Sequence, residues 1–236
     1  MILGLTHVDV LALIIFFASW FGYNIILERN TARKSLNQTM DGYRQTWMQQ
    51  LVVRDNRVVD TTIMATLQNG AAFFASTSLL AIGASLTLFR STDEVLGVMS
   101  SFPFGEEMNR LGWEVRVFGL TVIFIYTFFK FSWAYRIFNY AAILVGAVPV
   151  IRFGQSTDED KEAAYEAAER AARMNTVGGR HFNRGQRAFF FALAYLSWFI
   201  SAYALMLATV AVIFVMWRRQ FASEVQAAVH HRIKKQ

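Results

Sequence analysis

The chain has 236 residues, of which 55% are hydrophobic and 15% aromatic, and its apolar residues are gathered into a few long blocks. This composition is too apolar for a soluble domain and predicts one all-α membrane domain over residues 1–236, an integral membrane helical bundle with about four transmembrane helices. Cysteine is absent, which excludes disulfides and thiolate metal sites. The net charge is +6, but the sequence contains no nucleic-acid recognition motif, so the basic residues are expected to interact with anionic lipid headgroups instead.

Four apolar blocks are predicted to cross the membrane, because each supplies the ~20 residues that a hydrocarbon core of ~30 Å requires. The predicted spans cover residues of about 8–27, 71–89, 117–137 and 190–217. The last block is interpreted as one tilted helix, since a hairpin would need ~40 residues and a turn.

The second and third blocks carry further signals. Small residues at four-residue spacing in the second, such as Ala71 and Ala75, favour packing of that helix against protein.

The third block continues to residue 151, which is longer than one span and leaves three possibilities for its helix. Its helix projects from the membrane, bends near Gly146 and Pro149, or is re-entrant.

Two helices are predicted in the loops, over residues of about 33–53 and 157–177. The first has apolar residues every three or four positions and is amphipathic. The second starts with a capping signature over residues 156–160 and is predicted to stop at Gly178 and Gly179. The first and third loops carry more basic residues than the second loop and the tail. This bias predicts that these two larger loops lie in the cytoplasm and that both termini lie on the opposite side of the membrane.

A cationic cluster in the third block is the first candidate ligand site. A cation at membrane depth costs about 2.5–3.5 kcal/mol on insertion scales, so it usually faces protein, water or headgroups. The candidate residues are Lys130, Trp133, Arg136 and Asn139. We expect them to bind a lipid phosphate or another small anion, or to form structural pairs with acids such as Asp9 or Asp60.

Other polar residues near the spans are predicted to make contacts between helices. They are Asp9, Asp60, Gln68 and Asn69. Helix capping and interhelical hydrogen bonds explain such residues better than catalysis does.

Motifs of known chemistry are missing from the sequence. The four histidines have no metal-ligand spacing, and no phosphate-binding glycine loop, zinc-protease motif or nucleophile elbow occurs. We therefore predict that the protein is not an enzyme and that it has neither a metal site nor a cofactor.

Several stretches resemble the bacterial and plant membrane proteins grouped as domain of unknown function 599. They include residues 54–60, 72–77, 129–131, 138–140 and 182–185, together with Asp9, Trp20, Trp133, Arg136 and Trp198. The resemblance covers nearly the whole chain and implies a polytopic membrane protein, but no established activity. At Ser201 and Ala202 the chain departs from the helix-breaking Asn-Pro pair expected of the family, so the resemblance does not support a kink there.

Two functions remain open from the sequence. The first is a scaffold or accessory subunit of a membrane assembly, with membrane lipids and a homo- or hetero-oligomer as partners, and the expected location is the bacterial inner membrane. The second is a homo-oligomeric channel or transporter for an anion or small organic acid, with the Lys130 cluster along its path.

Overall fold

A computed structural model describes residues 4–29, 35–99, 109–152, 154–222 and 224–230, and helices make up the secondary structure of these residues. This confirms the predicted all-α class. The helices are α1 (His7–Arg29), α2 (Leu36–Leu51), α3 (Val58–Arg90), α4 (Thr92–Met99), α5 (Arg110–Ala147), α6 (Asp158–Leu196), α7 (Ala202–Phe221) and α8 (Glu224–His230), with a 3₁₀ turn at Ser197–Phe199 before α7.

Four of the described helices are long and apolar enough to cross a membrane. They are α1 over His7–Leu27, α3, α5 and α7. The predicted membrane bundle with four spans is therefore confirmed.

Helix α5 is a single helix of 38 residues. At ~1.5 Å per residue it is ~57 Å long, nearly twice the ~30 Å of a hydrocarbon core. It ends at Ala147, two residues before Pro149, because proline disfavours helical backbone in the residue that precedes it. The helix is continuous through Gly146 and longer than a hydrocarbon core, as the first of the three possibilities requires.

The last apolar block is divided, which corrects the predicted single span over residues 190–217. Helix α6 continues to Leu196, and α7 starts only at Ala202. Ser201 between them has extended backbone, with φ −165° and ψ 163°, and its side-chain oxygen accepts a hydrogen bond from the Ala204 N–H. A serine N-cap thus starts a new helix here without the Asn-Pro pair.

Helix α6 also passes through the glycine pair at which it was predicted to stop. The capping box that starts it is present: the Thr157 N–H and hydroxyl donate to Asp160, and these bonds lower the pKa of the Asp160 carboxyl. Its glycines serve close packing instead of termination. A Cβ on Gly178 would lie 2.8 Å from the Phe138 ring, and one on Gly185 would lie 2.9 Å from the Phe131 ring.

Helix α3 buries a single narrow face. After Asp60, its buried positions are Met64, Ala71, Ser78 and Ser85, which recur every seven residues. Three of these four side chains are small, which allows close approach of a neighbouring helix, as the sequence predicted in part. The rest of the helix is largely exposed, since only 11% of its apolar window is buried.

The chain forms two compact units, where the sequence predicted one domain. The first unit contains Met1–Ser35, Thr77–Phe128 and Gln186–Gln236, and its aromatic core includes Phe16, Trp20, Phe191, Tyr195 and Trp198. The second unit contains Leu36–Ser76 and Phe129–Gly185. In the core of the second unit, alanines of α6 pack with larger side chains; the alanines are Ala164, Ala168, Ala171 and Ala172.

We predict that Gly185→Ala destabilises the protein by about 1–3 kcal/mol, because the added methyl group meets the fully buried ring of Phe131, which has no space to retreat. The matched control is Gly83→Ala in α3, where nothing lies within 4 Å of the new Cβ. Thermal unfolding in detergent measures both variants. Equal melting temperatures for the two variants would contradict the close-packing role.

Candidate functional site

Asp9 is the centre of a buried polar cluster in the first unit. It lies in the first turn of α1, and its Oδ2 accepts hydrogen bonds from the Thr6 N–H at 2.9 Å and from the Thr6 hydroxyl at 2.7 Å. The Asp9 N–H donates in return to the Thr6 hydroxyl oxygen at 3.1 Å. This reciprocal arrangement is a capping box, which fixes the carboxylate at the start of the helix.

The other oxygen of Asp9 joins α1 to two distant parts of the chain. Oδ1 accepts a hydrogen bond from Arg116 Nη2 at 3.0 Å and another from the Trp198 indole N–H at 2.7 Å. The Arg116 guanidinium also lies over the Trp198 ring, 5.0 Å from its centroid. Only 3% of Asp9 and 4% of Arg116 is exposed, so the charges neutralise each other away from solvent.

The bonding of Asp9 limits its chemistry. An ionised carboxylate has about four acceptor positions, and here four hydrogen bonds occupy them. No position remains for a substrate or a metal ion. The cluster therefore joins α1, α5 and the 3₁₀ turn that contains Trp198.

A second polar contact lies elsewhere in the first unit. Arg187 of α6 donates from Nε to the side-chain oxygen of Asn24 at 2.6 Å, and the Asn24 amide donates to the Trp20 carbonyl at 2.8 Å. Arg187 is 8% exposed. Its charge is thus held against α1 inside the unit.

Asp60 has a similar set of partners in the second unit. Its Oδ1 accepts hydrogen bonds from the Trp47 indole N–H at 2.7 Å and from Arg54 Nη1 at 2.5 Å. Asp60 is fully buried in the first turn of α3, where the positive end of the helix dipole favours a carboxylate. An aspartate, a tryptophan and an arginine thus fix the start of a helix in each unit.

The predicted ligand cluster is only partly brought together. The Arg136 guanidinium lies 5.7 Å from the Trp133 ring and 5.6 Å from the Tyr140 ring, and its Nε donates to the Tyr140 hydroxyl at 2.7 Å. These three side chains form an exposed patch on α5, whereas Asn139 is half-buried. Tyr140 was missed by the sequence analysis, although its position four residues after Arg136 places it on the same helical face.

Lys130 lies beside a cluster of aromatic rings in the second unit. The neighbouring Phe131 stacks on Phe74 at 5.0 Å between ring centroids and meets Phe182 edge to face at 5.4 Å. The charges of Lys130 and Arg184, together with burial, lower the pKa of His181. His181 and Arg184 were absent from the predicted site, since nothing in the sequence shows which turn of α6 faces α5.

The remaining predicted contacts have a different environment. Gln68 is half-buried and Asn69 is exposed, and neither forms a hydrogen bond with another residue in the described ranges. Their role in helix contacts stays a prediction. Within the same ranges, no group of three histidine or acidic side chains is placed to hold a metal ion.

A groove of about 420 Å³ lies between α2 and α6 in the second unit. Its polar lining includes Gln45, Gln49, Glu162 and Glu166. Glu166 already forms an ion pair with Arg170, one helical turn along α6. The groove therefore has a solvated acidic wall that is partly neutralised by Arg170.

We predict that Asp9→Asn lowers the free energy of unfolding by about 3 kcal/mol, because it leaves the buried Arg116 charge without a counterion. The control is Glu166→Gln, which breaks an exposed ion pair and should cost at most about 1 kcal/mol. Denaturant titration in detergent measures both. A loss for Asp9→Asn no larger than that of the control would show that the ion pair does not stabilise the fold.

Comparison with known proteins identifies the family of the chain but no characterised relative. No curated protein and no solved structure matches the chain. A family described as "Protein of unknown function, DUF599" matches residues 11–225, nearly the whole chain, as the resemblance implied. The chain belongs to this family of proteins of unknown function.

Proposed function

We propose that the protein is a scaffold or accessory subunit of a membrane assembly and that it has no catalytic activity of its own. The observation that supports this most directly is the saturation of Asp9, whose four acceptor positions are all used by its own chain. A carboxylate in this state holds helices together and exchanges nothing with a substrate.

The buried arginines of the first unit support the same proposal. A path for ions or organic acids needs polar groups that face water or change partners during transport. Arg116 is bonded to Asp9, and Arg187 is bonded to Asn24, so both charges face protein. These bonds favour a fixed bundle over the alternative of a channel or transporter.

The outward surfaces suit contacts with lipid and with other subunits. Helix α3 exposes Phe73 and Leu80, and α7 exposes Leu207 and Phe214. The first part of α6 is instead polar and exposed, with ion pairs such as Arg170–Glu166 along it. In this proposal the apolar helices contact lipid or a neighbouring subunit in the bacterial inner membrane, and the polar helices lie on the cytoplasmic side.

Native mass spectrometry of the protein, extracted with mild detergent from its own membrane, tests for partners. We expect either foreign subunits in fixed stoichiometry or a defined oligomer, together with bound lipid. Recovery of the monomer alone, at several detergent concentrations that leave known complexes intact, would contradict the scaffold proposal.

Flux of anions and organic acids from liposomes tests the alternative. We expect the same flux as from empty liposomes for the unaltered protein, for Lys130→Ala and for the control Lys161→Ala, whose lysine is exposed on α6 and pairs with Asp158. Protein-dependent flux that Lys130→Ala abolishes and Lys161→Ala retains would instead establish a transport path.

A further inference from the structure

Three basic side chains converge on one side of the contact between α5 and α6. The two helices run antiparallel, because Phe131 meets Gly185 whereas Phe138, later in α5, meets Gly178, earlier in α6. The contact is close, since a Cβ on either glycine would lie under 3.0 Å from the facing ring. The backbones of α5 and α6 therefore approach closely at these two positions.

Each of the three basic residues immediately precedes a residue of this contact. Lys130 precedes Phe131 on α5, and on α6 His181 precedes Phe182 and Arg184 precedes Gly185. One residue corresponds to a rotation of about 100° around a helix. In an antiparallel pair that rotation carries the preceding residues of both helices to the same side of the contact.

The electrostatics and burial of the group agree with this geometry. All three side chains are half-buried. Burial lowers the pKa of His181, and the positive charges of Lys130 and Arg184 lower it further. The Nδ1 atom of His181 is buried and has no hydrogen-bond partner.

We propose that Lys130, His181 and Arg184 form a binding site for a phosphate group. An ammonium, a guanidinium and an imidazole supply several donors and positive charge, and a phosphate group offers them at least two charged, non-bridging acceptor oxygens. A bound phosphate would also offset the positive charges of Lys130 and Arg184 that act on His181. The site goes beyond the proposed scaffold role, since it can exist with or without a protein partner.

The phosphate can belong to a lipid headgroup or to a soluble compound, and two probes distinguish these sources. Phosphatidylglycerol in nanodiscs or mixed micelles, followed by native mass spectrometry, reports retained lipid. Inorganic phosphate added to the protein in an uncharged, phosphate-free detergent, followed by isothermal titration calorimetry, reports the soluble anion. Binding of either probe at one per chain supports the site, and the probe that binds identifies the source.

Substitutions then locate the binding. We expect Lys130→Gln and Arg184→Gln each to weaken it about tenfold, because each removes a charged donor, whereas Lys130→Arg retains it. The matched control is Arg170→Gln, which removes an exposed arginine of the same helix that pairs with Glu166. His181→Gln tests whether the imidazole contributes to binding. Thermal unfolding verifies that each variant is folded.

Two results would overturn the proposal. One is that neither probe binds the folded protein in a saturable manner. The other is that Arg170→Gln weakens binding as much as Lys130→Gln and Arg184→Gln do, which would indicate a diffuse attraction of anions to a basic protein.

Discussion

The cost of burying charge among apolar helices is the constraint on which the rest of this structure depends. An isolated carboxylate or guanidinium removed from water is too unfavourable to persist, so each must find a partner of opposite charge and further hydrogen bonds. Asp9 and Arg116 meet that requirement together, with Trp198 as the third member. Because the three residues come from α1, α5 and the 3₁₀ turn before α7, neutralising the charge also determines how these segments pack.

The same requirement explains features that otherwise look unrelated. Asp60 starts α3 with an indole and an arginine as partners, as Asp9 does for α1. In both units the indole contributes a neutral donor and a large apolar surface, so each acid shares one oxygen between an indole and a single cation. Glycines then allow the close helix contact in the second unit, and at Gly178 and Gly185 the facing phenylalanine rings occupy the space of the missing side chains.

Patterns along the chain predicted what depends on neighbours in sequence. Apolar length predicted the number of spans but not the break between α6 and α7, and the Thr157–Asp160 capping box predicted where α6 begins. Asp9, in contrast, lies 107 residues from Arg116 and 189 residues from Trp198 in the sequence. No local pattern encodes such a pairing. The glycine pair was misinterpreted for a related reason: a glycine that ends a helix and one that admits a facing ring look identical in a single sequence.

If Asp9 and Arg116 stabilise the fold as one structural unit, a double-mutant cycle should show that the two side chains are coupled. Unfolding of Asp9→Asn, Arg116→Gln and the double variant would be measured in the same detergent. A coupling energy of about 2 kcal/mol, with the double variant little worse than either single one, is the predicted result. Additive losses with a coupling energy near zero would contradict it, since the two buried charges would then be stabilised independently of each other.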